Sequence, residues 1–237
     1  MILLGTLVNA VAIIAGALLG RLLTRIPESI RQTVMQGIGL AVIVLGIKMA
    51  LGTDNILLLI VSIVVGAIMG EWIRIDHGLN QMGKWLERKV GGNKEGSIAT
   101  GFVTATLVYC IGAMGVLGAL DSGLRNNHDI LYTKALLDGF SAILFTSTLG
   151  IGVLFSAIPV FVYQGLIALL STQINNLVSQ EMLDAILLEV TAVGGLMIIA
   201  IGINILELKK IQVANMLPAL VIAALGVPFA AWLSTVL

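Results

Sequence analysis

Asn55-Ile-Leu-Leu-Leu-Ile-Val-Ser-Ile-Val-Val-Gly66-Ala-Ile-Met-Gly70-Glu-Trp72-Ile73 decides the class of this protein. No charge interrupts it between Asn55 and Gly70, and about 20 mostly apolar residues suffice for a helix to cross the hydrocarbon core of a bilayer. The rest of the 237-residue chain has the same character, 58% hydrophobic and 11% charged, with a mean hydropathy of +1.06. A soluble domain carries about 25% charged residues. There is too little polar surface here to cover a water-soluble body of this size. Aromatics make up 5% and glycines number 27, which suits closely packed helices better than an aromatic-girdled barrel. The expected fold is all-α, a polytopic transmembrane bundle of about eight spans. The formal net charge is zero, so no basic face for nucleic acid is implied. One cysteine and two histidines leave no multi-cysteine metal site, and no cofactor is expected.

Working outward from 55–73, the other apolar stretches are 2–24, 33–52, 97–120, 130–149, 150–170, 181–206 and 212–235. The first lacks a basic leader and a small-residue cleavage site, so it is expected to be retained as a helix. The boundary at 149/150 is the weakest. Phe145-Thr-Ser-Thr148-Leu-Gly150-Ile-Gly152 holds neither charge nor Pro, and one long helix over 130–170 is the alternative. Charge placement favours eight spans. Arg21, Arg25, Arg31, Arg74, Lys84, Arg88, Lys89, Lys94, Lys209 and Lys210 then all fall on one side. That side is cytoplasmic by the positive-inside rule, and both termini face outward. The chain is organised as one transmembrane domain, 1–237. It comprises a repeat-like unit 1–73, a cytoplasmic interfacial helix 74–95, central helices 97–149 and a second repeat-like unit 150–237. In 74–95, Ile75, Leu79, Met82, Leu86 and Val90 recur at helical spacing among basic residues, up to Gly91-Gly92-Asn93. That pattern suits a helix lying on the lipid surface.

The third and last spans repeat one pattern at an offset of 160: Asn55 with Asn215, Gly66 with Gly226, Trp72 with Trp232. The spans before them match at an offset of 156, with Gly39 and Gly46 answering Gly195 and Gly202. Eight crossings make these units inverted, an architecture many secondary transporters use. Architecture alone does not fix function. Gly16-xxx-Gly20 and Gly66-xxx-Gly70 are small-residue seams, and the matched seams of the third and last spans lead us to expect a homodimer. Cys110-Ile-Gly112-Ala-Met-Gly115-Val-Leu-Gly118 is denser in glycine and points to a kink, a break or a contact with a solute.

Three charges fall at membrane depth. Asp138 lies about 12 Å into its span at 1.5 Å per residue, with Lys134 one turn earlier where the two can pair. Ser141 and Thr148 continue that face. Glu189 is equally deep, with no basic partner in view. Intramembrane carboxylates are functional candidates because their desolvation must be compensated, although ion pairs also occur for structure alone. Asn9 and Asn204 suit interhelical hydrogen bonds, Lys48 a snorkelling role and Cys110 packing. His77 and His128 read as solvated loop residues. No zinc-binding His-Glu-x-x-His, Gly-x-Ser-x-Gly elbow or phosphate loop is present, so no enzymatic chemistry is expected.

Tyr109-Cys-Ile-Gly112-Ala-Met114, Asp121-Ser-Gly123-Leu, Lys134-Ala-Leu-Leu-Asp138-Gly139 and Gly150-Ile-Gly152-Val-Leu-Phe-Ser156-Ala157 resemble one bacterial family. It is the domain of unknown function 554 family (YdfK/YqgA-like membrane proteins), and the opening Gly5-Thr-Leu-Val-Asn9 resembles it too. Arg125-Asn-Asn-His128-Asp129 departs from the family's short Gly-Asp turn, which argues against ligation by that loop. The resemblance implies a multi-pass protein of the bacterial inner membrane and supplies no substrate. The residues themselves favour a small secondary transporter or ion-coupled carrier for an ion or small solute. Asp138 would bind a cation or proton and Lys134 would balance it, with Gly112, Gly115, Gly150 and Gly152 lining the path. The rival is a non-transporting scaffold or regulatory subunit whose polar pair is structural.

Overall fold

The structure, a computed structural model, describes residues 1–22, 28–90 and 97–236. Arg25, Lys94 and the Gly91-Gly92-Asn93 helix end lie outside the described residues, as do the side chains of Arg31, Leu86 and Val90. Among the described residues the chain forms eleven α-helices and two short 3₁₀ segments, and no strand. Among the described residues, six helices are long and apolar enough to cross a membrane, or up to seven if one bent pair counts as a single span. Eight were expected. The difference is the 130–149 segment, which is a helix of 21 residues, about 31 Å long, whose Lys134 and Asp138 lower its apolarity. The chain divides into two compact units, 1–34 with 79–176, and 35–78 with 177–237.

The first unit is built around α1 (Leu4–Leu22) and α7 (Asp129–Leu149). In α1 the buried positions Gly5, Asn9, Ile13, Gly16 and Gly20 recur on one helical face. A Cβ on Gly16 would strike the carbonyl oxygen of Gly139, and one on Gly20 that of Ile143. Gly5 meets Leu131, so contacts ascend together along both chains and the helices run parallel, backbone against backbone. Small residues permit this approach where lipid supplies no hydrophobic drive between helices.

α5 (Ser97–Cys110) and α6 (Ala113–Arg125) form a broken span. They bend by 63° at Gly112, whose φ of 132° suits only glycine. The doubtful boundary at 149/150 is a true break. Gly150, at φ 92°, ends α7, and a 3₁₀ turn over Ile151–Ser156 leads into α8 (Ala157–Leu169). Gly115 faces Tyr163 and Gly123 faces Ala168, so α8 runs parallel to α6. Gly118 packs on Leu131 and Ile130 at the start of α7, which makes α6 and α7 a short-looped antiparallel pair. α8 therefore returns against α7, and 130–170 is not one helix. α9 (Ser171–Leu177) follows.

The second unit holds most of α2 (Glu28–Ala50) with α3 (Ile56–Ile73), α10 (Gln180–Ile205) and α11 (Pro218–Val236). Gly46 meets Gly195 and Gly39 lies against Gly202, so α2 and α10 are antiparallel. Gly66 meets Ala219, Gly70 meets Asn215 and Gly226 meets Leu58, so α3 and α11 are antiparallel too. Leu59, Ala192, Val193, Ala219 and Ala223 form the buried apolar centre of this unit. The glycine seam of α3, the ground for expecting a dimer, is thus already occupied by α11.

Arg74 adopts a left-handed conformation (φ 58°, ψ 46°) that closes α3 and turns the chain into α4 (Ile75–Val90). Of the amphipathic helix expected over 74–95, the stretch Ile75–Val90 is helical among the described residues. Met82 and Trp85 are exposed on it, and the Lys89 ammonium lies 5.7 Å from the centre of the Trp85 ring.

Candidate functional site

The centre of the first unit is polar. Lys134 and Asp138 sit one turn apart on α7 with side chains 9% and 8% exposed. Lys134 Nζ donates to Asp138 Oδ1 at 3.0 Å and lies 2.8 Å from Oδ2 in the ion pair. Asn9 of α1 donates through Nδ2 to Asp138 Oδ2 at 3.1 Å and to Gln164 Oε1 of α8 at 3.2 Å. Three helices thus meet in one polar cluster, in which α1 reaches the carboxylate because its glycines let it lie against α7. The cluster is incomplete. Asn9 Oδ1, Gln164 Nε2 and Thr6 Oγ1 are buried with no hydrogen-bond partner among the described residues. An unmet buried polar group costs about 1–3 kcal/mol, and three in one place invite a ligand.

The broken span borders this cluster. A Cβ on Gly115 would lie 3.5 Å from Tyr163 Cε1, 3.6 Å from Lys134 Cε and 3.8 Å from Gln164 Nε2. One on Gly112 would meet nothing within 4 Å. Gly112 borders open space and Gly115 meets its neighbours at ordinary contact distance, whereas Gly16, Gly46, Gly66 and Gly70 press on backbone. Ser141 returns its hydroxyl to the Leu137 and Asp138 carbonyls and lies 3.5 Å from the Tyr109 hydroxyl.

The remaining residues of the expected path lie elsewhere. Thr148 bonds the Leu144 and Phe145 carbonyls, ten residues or about 15 Å along α7 from Asp138. Gly150 forms the helix break, and Gly152 is pressed on the Ile98 carbonyl of α5. Glu189, in the second unit, has partners that the sequence did not reveal. Its Oε1 accepts from the backbone N–H of Asp54 (3.0 Å) and Asn55 (3.1 Å), and its Oε2 from Thr53 Oγ1 (2.6 Å). This carboxylate is held by the N-terminus of α3, where a negative charge is favoured. His128 is not solvated. It is buried, 9% exposed, with Nδ1 2.8 Å from Ser122 Oγ, which itself donates to the Ile2 carbonyl at 2.7 Å. His77 lies in α4 rather than in a loop. Gln164 was missed altogether, although it is the sole amide in 150–170.

Long apolar helices in contact through glycine, around a buried charge pair and buried amides, define a polytopic α-helical membrane protein. The chain belongs to the family described as "Protein of unknown function (DUF554)", whose model matches residues 4–227. It is 31% identical over 225 residues to the uncharacterized membrane protein YdfK of Bacillus subtilis (strain 168), covering 92% of this chain and 93% of that one. It is also 31% identical over 235 residues to the uncharacterized protein YqgA of Escherichia coli (strain K12), covering 97% and 98%. No solved structure gives a significant match.

Proposed function

We infer that this protein is a small secondary transporter or ion-coupled carrier of the bacterial inner membrane, with Asp138 as the residue that takes up the coupling cation or proton. One observation carries this reading. A buried carboxylate, paired with Lys134 and Asn9, lies beside unpartnered amide groups and a span broken at Gly112. Intramembrane carboxylates mark ion paths, and broken helices at mid-membrane build the sites of many carriers.

The second unit supports an inverted repeat. Helices matched by sequence pack antiparallel, and the Gly46–Gly195 contact maps onto Gly202–Gly39 under the 156-residue offset. The Leu58–Gly226 contact answers Gly66–Ala219 in the same way at the 160-residue offset, within one position. Any antiparallel pair keeps the sum of its contact positions constant, so the support lies in glycine recurring at the matched positions. The helix directions within each unit agree with eight crossings, and with the basic loops inside, as the positive-inside rule expects, both termini would face outward.

The test is melting temperature of the purified protein against sodium, potassium, lithium and pH. A ligand stabilises only through the state it binds. Wild type is expected to respond to one of these, and Asp138→Asn, whose amide oxygen still accepts from Lys134, to fold without responding. A structural pair gives another outcome: Asp138→Asn loses folded protein, and adding Lys134→Met partly restores it. No response in wild type sinks the carrier reading in favour of a scaffold.

A further inference from the structure

α6 begins inside the first unit with no side-chain cap, and of its first-turn N–H groups that of Gly115 already donates to the Gly112 carbonyl at 3.3 Å. Its N-cap is Gly112, which has no side chain to offer. The first N–H groups of a helix lack intrahelical acceptors and carry the positive end of its dipole. Gly115, in that first turn, faces two further positive-ended groups, the Lys134 side chain and the Gln164 amide. Gln164 is wholly buried and its Nε2 has no partner among the described residues, although its Oε1 is held by Asn9. A helix N-terminus, the lysine side chain and a donor amide therefore converge at Gly115, next to the open space at Gly112. Asp138 is the counter-charge bonded to Lys134 there, and both its oxygens are already engaged.

The geometry points to a site for a compact anion, an inorganic anion or a small carboxylate, between the first turn of α6, Gln164 Nε2 and Lys134. Backbone N–H groups at a helix start bind such ligands without a dedicated side chain. The inference rests on the carrier reading, because the cation or proton taken by Asp138 releases Lys134 and balances the anion's charge. The transported species would then be an anion moved together with that cation or proton.

The experiment measures melting temperature in nanodiscs at constant sodium, with gluconate exchanged for chloride, nitrate, phosphate or acetate. An anion at ten times its Kd is expected to raise the wild-type midpoint by about 3–6 °C in a chain of this size. Acetate alone acting identifies a carboxylate site, and chloride, nitrate or phosphate an inorganic one. In Gly115→Ala the new methyl meets its neighbours at ordinary contact distances, 3.5 Å and beyond, so the variant folds while the space is filled. Gln164→Glu keeps the oxygen that Asn9 donates to and replaces the donor with an acceptor. Both variants are expected to lose the anion response. No anion effect in wild type, or an undiminished effect in both variants, overturns the inference. The sodium and pH response of wild type and Asp138→Asn is read separately. A cation response with no anion response rejects the anion site and leaves the carrier reading standing. An anion response with no cation response rejects Asp138 as the coupling group.

Discussion

Removing Lys134 tests whether the buried pair is as tightly coupled as its geometry implies. Lys134→Met leaves Asp138 with one donor, Asn9 Nδ2 at 3.1 Å, in place of the ammonium at 2.8 Å and 3.0 Å. Breaking a buried pair from one side typically costs about 3–5 kcal/mol. At about 2–4 °C per kcal/mol for this length, the midpoint should fall by about 6–20 °C. Lys134→Met with Asp138→Leu removes both charges and leaves Asn9 Nδ2 its bond to Gln164 Oε1. The double variant should therefore be more stable than Lys134→Met alone, with a coupling of about 1–3 kcal/mol, as expected for groups in contact. The assay is thermal unfolding in nanodiscs for wild type, both single variants and the double. Additive losses would mean that the two side chains do not depend on each other, and the argument from uncompensated charge would fail.

Four other outcomes are expected. Glu189→Gln weakens the hold on the start of α3 by about 1–2 kcal/mol and lowers the midpoint a few degrees while leaving every ligand response intact; a lost response would give Glu189 a place in the site. With Cys110 replaced, a cysteine at Lys89 should label only with membrane-permeant reagents in intact cells and one at Asn175 with impermeant ones; labelling from the same side would rule out the eight-crossing arrangement. The homodimer expected from the matched seams in the sequence is checked by mass in nanodiscs, where a monomer at all concentrations removes it. Because Gly66 and Gly70 are packed on α11, Gly66→Leu should unfold the subunit rather than part a dimer, and a well-folded monomeric variant would contradict that placement.

The sequence carried the helical class and the segment boundaries because composition and apolar length are local properties. The Lys134–Asp138 pair was legible for the same reason, since a four-residue spacing fixes the contact. The turn at Gly150 was left open because no charge or proline marked it; backbone conformation at a single glycine makes the break. Glu189 seemed unpartnered because its donors are mostly backbone N–H groups 134 and 135 residues away. Thr53-Asp54-Asn55 before an apolar run does signal a helix start, yet nothing in the chain says which carboxylate meets it. Gln164 could have been found as a lone amide in an apolar span. Its link to Asn9 spans 155 residues and only the fold supplies it. Thr148, Gly150 and Gly152 shared a helical face or a glycine motif with the site, but distance along α7 separates them from it.

Ion movement across a membrane tests the central claim most directly. Proteoliposomes carrying an internal pH dye and a sodium dye would be given a proton or sodium gradient, with each of the four anions outside. The account predicts gradient-driven flux in wild type that depends on the anion, persists in Glu189→Gln and vanishes in Asp138→Asn. Flux of equal rate in wild type and Asp138→Asn, or no wild-type flux under any gradient and anion, would contradict it.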